Sequence, residues 1–232
     1  MKTRCGPPPG RPRCDMLPRW PGHPRCHLLP RWPDGGYSWR VGEGQARFDR
    51  PRLVCGIDEA GRGPIAGPVT AGAVILPAGF PVERLDDSKK LAPAEREELA
   101  ILIRRGATDF ATGWASSSEI DRYNIHRATL LAMKRALQAL SVTPDEVLID
   151  GRFTISIAQP CTAIVGGDTK VPEIQAASIL AKTDRDRFMR RYDRIESSWA
   201  FADHKGYATA SHRFLVKLHG RSPIHRESFQ VR

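Results

Sequence analysis

Nine of the 19 prolines fall within the first forty residues, and this crowding limits what the chain can build more than any other feature. Proline locks φ and removes a backbone donor, so neither a helix interior nor a central strand forms readily there. Three of the five tryptophans lie in the same stretch, and its apolar residues follow no period of 2 or 3.6. Residues 13–24 (RCDMLPRWPGHP) are echoed by residues 25–36 (RCHLLPRWPDGG), but stacked repeat folds need about three or more units. We therefore expect residues 1–45 to be a Pro/Arg/Trp-rich, disordered tail and residues 46–232 to form one folded domain. Cys5, Cys14, Cys26, His23 and His27 match none of the usual paired zinc spacings. Nucleic-acid contacts through Trp and Arg, or an upstream extension of the reading frame, are the alternatives for this stretch.

Charge follows the same boundary. Of the formal +10, the first forty residues carry eight basic and two acidic side chains, leaving +4 for the rest. A mildly basic body suits a polyanion, or equally a membrane surface, and says nothing about fold. No run approaches the roughly 18 apolar residues that span a bilayer, which excludes a transmembrane role. The five cysteines are an odd number and only Cys55 and Cys161 lie in the body, so we expect no disulfide framework and a reducing, cytoplasmic location.

From residue 52 the pattern becomes that of a folded domain. LVCGID and PVTAGAVIL read as neighbouring strands, followed by DFATGWAS, EVLID and a run at Thr162–Val165. Pro93 opens a helix that Gly106 stops, and Ser117 or Ser118 starts a longer one to Ser141. A third helix spans Glu173 to Arg194, its first half (IQAASILAK) small enough for close packing on a sheet and its second half rich in arginine. A last helix is expected over Thr209–His219. This order implies an α/β fold with a mixed sheet covered by helices.

Four carboxylates stand where such sheets place their sites: Asp58 and Glu59 end the first strand, Asp150 the fourth and Asp168 the fifth. Successive strand side chains alternate, so Asp58 and Glu59 converge only if the backbone bends, and Gly61 and Gly63 would permit a bend. Carboxylates about 4 Å apart repel by roughly 4 kcal/mol at an effective dielectric of 20, so a cluster of them needs cations. Oxygen-only ligation favours Mg²⁺ or Mn²⁺, and a pair of such ions suits phosphate displacement. Each acid taken alone is more often a solvated loop residue or a helix cap than a ligand. Gly61-Arg62-Gly63 reads as a tight turn or as a small anion nest. The run containing Ser88 and Lys89 reads as a solvated turn or a phosphate clamp. Lys182 is a surface cation or a partner for the acids, and His204-Lys205-Gly206-Tyr207 places base, glycine and aromatic together.

The ordered strings GIDEAGRGPIAGPVTAGAVIL, DDSKKL, VLIDG, GGD, AASILAKTDRD, HKGYATASH and IHRESF resemble ribonuclease HII over nearly all of residues 52–229. That resemblance implies the ribonuclease H-like fold, a mixed five-stranded sheet flanked by helices. It also implies a metal-dependent endonuclease acting on RNA–DNA hybrids and on duplex DNA with embedded ribonucleotides, cutting 5′ to the ribonucleotide. By the resemblance, Asp58, Glu59, Asp150 and Asp168 are the catalytic, metal-binding acids for two Mg²⁺ or Mn²⁺ ions. Gly61, Arg62 and Gly63 would grip the 2′-OH and adjacent phosphate, and Tyr207 would sense the ribose-to-deoxyribose junction. Ser88, Lys89, Lys182 and Lys205 complete the expected substrate contacts, in a monomer without membrane partners. The rivals are a nuclease of the same fold acting on all-DNA substrates and a duplex-binding module that has lost catalysis.

Overall fold

The computed structural model describes residues 51–85 and 91–231. The expected tail, Ser88 and Lys89 lie outside the described residues. The five apolar runs form strands β1 (Val54–Ala60), β2 (Val69–Ile75), β3 (Asp109–Ala115), β4 (Glu146–Asp150) and β5 (Cys161–Ile164). They make one mixed sheet in the order β3-β2-β1-β4-β5. The first three strands pair antiparallel, whereas β4 joins β1 and β5 joins β4 in parallel. Helices α1 (Pro93–Gly106), α2 (Ser117–Gln138), α3 (Pro172–Asp193), α4 (Phe201–His204) and α5 (Ala210–His219) complete the described fold. No described helix is long and apolar enough to cross a membrane.

Each face of the sheet carries its own apolar core. Cys55, Ile57, Ala71, Ala73 and Ile75 pack with Ala128, Ala132, Met133 and Ala136 of α2. On the other face, Val74 packs with Leu99 and Ile103 of α1 and with Ala177, Ile179 and Leu180 of α3. The small-residue half of α3 lies directly on strand backbone. A Cβ on Gly56 would meet the Glu173 carbonyl carbon at 2.1 Å, and one on Gly72 would meet the Ala177 oxygen at 2.4 Å. Glycine at both positions lets α3 sit close enough to aim its polar side chains at the strand ends.

Three boundaries depart from the sequence reading. The cap of α2 is Ser116, one residue before the expected start, in a reciprocal box with Glu119. That helix ends at Gln138 rather than Ser141, where the Asp109 carboxylate accepts from the amides of Ser141 and Val142 at 2.7 and 2.8 Å. The Asp168 side chain does not end a strand: β5 stops at Ile164, and Asp168 sits in the 3₁₀ turn Gly167–Thr169.

Candidate active site

The site begins where two parallel strands part. The ladder of β1 with β4 ends at Ile57 and Ile149, while the ladder with β2 continues to Ala60 and Thr70. Past Ile57 the edge of β1 is open, so Asp58 and Glu59 both reach the same cavity although their side chains alternate. The bend expected at the acid pair comes after it, at Gly61, whose φ is +95°. The cavity, about 250 Å³, is lined by Asp58, Glu59, Gly61–Gly63, Asp150, Ser178, Lys182 and Tyr207.

Asp58, Asp150 and Asp168 each offer a carboxylate oxygen within 4.8 Å of the others. Asp150 Oδ1 accepts from the Gly167 amide at 2.7 Å, tying the end of β4 to the turn that carries Asp168. Asp58 accepts from the Glu59 amide at 2.7 Å and from the Ser178 hydroxyl on α3. Burial raises the Asp58 carboxyl well above its ordinary range, and the charges of Glu59 and Asp150 raise it further. Burial also raises Glu59, which stands beside the triad and pairs with Arg62 at 3.2 Å.

The cavity's two cationic side chains do not neutralise the triad. Arg62 bonds Glu59, and Lys182 bonds Asp186 at 2.9 Å. Among the described residues the donor set is three converging carboxylates, oxygen ligands alone, which fits a hard divalent cation and not zinc. A larger, more apolar cavity of about 340 Å³ lies between Pro68, Trp114, Phe188 and Ile224. Its one lining carboxylate, Glu119, is engaged by Arg135 and the α2 cap, so that cavity lacks the means for hydrolysis.

Among the expected substrate contacts, Gly61, Arg62, Gly63, Lys182 and Tyr207 share the acidic cavity. Tyr207 is 42% exposed, with Lys182 Nζ 5.6 Å and Arg185 Cζ 5.9 Å from its ring centroid. Lys205 is not among the lining residues: its ammonium turns back onto the Ala202 carbonyl. Ser178, Arg185 and Arg226 were not singled out in the sequence. The strings AASILAKTDRD and IHRESF contain them, but nothing in either string shows that their partners lie on β1 and the loop after it.

Comparison with known proteins agrees with this geometry. The family model for ribonuclease HII matches residues 55–232. Ribonuclease HII of Azoarcus sp. is 53% identical over 180 residues, 78% of this chain and 88% of that protein. Ribonuclease HII of Chlorobium luteolum is 52% identical, covering 77% and 89%. Among solved structures, ribonuclease H2 of Pyrococcus horikoshii superposes with a TM-score of 0.64 at 24% identity, covering 77% of this chain and 94% of that one. The ribonuclease HII in a complex with PCNA from Archaeoglobus fulgidus gives 0.65 at 25% identity, covering 78% and 96%. The mixed sheet and its acidic cavity thus define an enzyme of the nuclease class with a ribonuclease H-like fold. Within that class, the chain belongs to the ribonuclease HII family.

Proposed function

We propose that the protein is an endonuclease that hydrolyses the phosphodiester 5′ to a ribonucleotide, in RNA–DNA hybrids and in duplex DNA with embedded ribonucleotides, leaving 3′-OH and 5′-phosphate ends. The observation that carries this reading is the convergence of three carboxylates, within 4.8 Å, beside the Gly61–Gly63 turn. Asp58, Glu59, Asp150 and Asp168 would hold Mg²⁺ or Mn²⁺, two ions in this reading. Bound there, such ions supply a nucleophilic hydroxide at neutral pH and stabilise charge on the leaving oxygen. The backbone of Gly61–Gly63 approaches a phosphate and 2′-OH without a Cβ at either end, while Arg62 adds charge. Tyr207, backed by Lys182 and Arg185, presents a ring face to the sugar next to the ribonucleotide. A 2′-OH is the one group that separates a single ribonucleotide from DNA, so its grip sets selectivity.

The catalytic unit in this reading is a monomer. The two cysteines among the described residues are free thiols, which supports a cytoplasmic location. The test is cleavage of a duplex with one embedded ribonucleotide against its all-DNA match, with and without EDTA. We expect cleavage of the first alone, lost on chelation, and reduced by roughly three orders of magnitude or more in Asp58→Asn. Equal cleavage of both duplexes would replace this reading with that of a DNA nuclease. Near-normal cleavage by Asp58→Asn would remove the acids from the chemistry.

A further inference from the structure

The loop between β1 and β2 is built around two buried guanidinium groups. Arg226 and Arg185 are both fully buried. Arg226 donates from Nη2 to Gly61 O at 2.5 Å, from Nη1 to Arg62 O at 2.9 Å and from Nε to Gly67 O at 3.0 Å. Arg185, on α3, donates from Nη2 to Ala66 O, Nε to Pro68 O and Nη1 to Lys205 O at 3.0–3.1 Å. Every one of these acceptors is a main-chain carbonyl, and among the described residues neither arginine forms an ion pair. Burying two cations with no carboxylate in ion-pair contact is costly, so a fold that does so is using the fork geometry of arginine and not merely its charge.

The consequence lies in the peptide planes. Across a trans peptide the C=O of one residue and the N–H of the next point in opposite directions, and no described peptide bond is cis. Turning the Gly61 and Arg62 carbonyls inward onto Arg226 therefore turns the amides of Arg62 and Gly63 outward. Both residues are exposed and line the acidic cavity, and neither amide has a main-chain acceptor among the described residues.

The same unit reaches Tyr207 from behind. Arg185 holds the carbonyl of Lys205, and Ile65 donates to Gly206 O at 2.9 Å. The Arg226 segment is itself pinned: its amide donates to Ile65 O, and the Asp121 carboxylate accepts from the amides of Glu227 and Ser228 at 3.0 Å.

We propose that Arg226 and Arg185 are positioning residues for ribonucleotide selectivity, Arg226 by aiming the Arg62 and Gly63 amides into the cavity and Arg185 by locking the Tyr207 segment to the same loop. This inference rests on the endonuclease reading above and deepens it. Lysine, with a single ammonium, cannot span the carbonyls of Gly61, Arg62 and Gly67 together, so Arg226→Lys keeps the charge and removes the fork.

The experiment measures affinity for a duplex with one embedded ribonucleotide and for its all-DNA match, in EDTA, for the full chain and its variants, alongside melting curves and kcat/KM in Mg²⁺. We expect Arg226→Lys to reduce the ribonucleotide-to-DNA affinity ratio by up to about tenfold, the upper worth of one neutral hydrogen bond such as amide to 2′-OH, with a smaller loss of all-DNA affinity through the phosphate contact both duplexes share. Its kcat/KM should fall mainly through KM, since the acids stay in place. Asp121→Asn, which loosens the Arg226 segment from the surface, should shift the ratio the same way by about twofold to threefold, and it decides the matter if Arg226→Lys fails to fold. A wild-type protein with no preference for the ribonucleotide duplex would overturn the functional reading and this inference with it. A wild-type preference kept intact in folded Arg226→Lys, or in Asp121→Asn, would overturn the inference alone.

Discussion

At Asp58, burial and neighbouring charge act in the same direction, and the sign of the consequence can be worked out. A carboxyl raised on folding binds its proton more tightly in the native state than in the unfolded chain. Above the raised value the native state carries the charge at a cost, so stability falls as pH rises through that region. Each pair of ionised carboxylates 4.8 Å apart repels by about 3.5 kcal/mol at an effective dielectric of 20. In EDTA at neutral pH, Asp58→Asn should therefore melt at least about 2 °C above the wild type while its activity is lost. Added Mg²⁺ should raise the wild-type melting temperature by mass action and raise that of the variant less. A variant that melts lower in EDTA would show that Asp58 is held for structure and not at a cost. The same residue shows what the sequence made legible: a charged pair closing an apolar strand needed a reason, and so did aspartates after two later apolar runs. Arg226 was not legible, because its partners lie up to 165 positions away and are carbonyls, which every residue has. Lys205 lies outside the cavity lining, and a basic residue beside Gly206-Tyr207 does not disclose which way its chain turns.

Secondary elements were readable where an apolar run or helical period extends over several residues, and less so where tertiary contacts end them. The five strands and the helices of five or more residues follow such runs. The two-stranded gap at the end of β1, by contrast, depends on a ladder that stops at Ile57, and no local pattern marks where a neighbour stops pairing. Asn124, with φ +67° inside α2, was equally hidden, although its side chain caps the following turn through the Arg127 amide. At this scale the close seating of α3 makes a direct prediction. In Gly72→Ala the new Cβ would press on the Ala177 carbonyl, an overpacking that costs about 1–3 kcal/mol or more, and thermal unfolding should show it. An unchanged melting temperature would mean that α3 does not rest on strand backbone. A second prediction concerns the elements behind Tyr207. His212 donates from Nδ1 to the Tyr207 carbonyl, its Nε2 meets His225 Nε2 at 3.0 Å, and His225 Nδ1 accepts from the Ser222 amide. Burial pushes both rings down to about 4, helped by the neighbouring imidazoles. A base depressed on folding is protonated first in the unfolded chain, so stability is full above pH 6.5 and is lost as pH falls toward 4. At pH 5 the loss is about 2 kcal/mol per ring, measurable as a shift in denaturant midpoint between pH 7.5 and 5. His225→Gln should remove roughly half of that shift; an undiminished shift would place the acid sensitivity elsewhere.

Across the whole molecule, charge and chemistry are divided unequally along the chain. The described domain holds every acid of the site, whereas residues 1–45 carry eight basic and three acidic side chains together with nine prolines and three tryptophans. Basic side chains that neutralise phosphates displace counterions, and each such contact contributes about 0.9 to the slope of log affinity against log salt. Such contacts need no defined geometry, and a proline-rich stretch supplies them without a core. The acidic cavity, by contrast, works only with fixed geometry, and all of its residues lie between Asp58 and Tyr207. The two contributions should separate by truncation. Removing residues 1–45 should weaken binding to an all-DNA duplex and flatten its salt slope by about two to four, the contribution of two to four of its eight cations engaging phosphates. The same truncation should leave the melting temperature unchanged and kcat on a single-ribonucleotide duplex within about twofold of the full chain, because no catalytic group is removed. Fluorescence anisotropy at several salt concentrations, with single-turnover cleavage on the same preparations, measures both. Cleavage abolished by the truncation, with the domain still folded, would show that the first 45 residues take part in catalysis and that the domain boundary is misplaced.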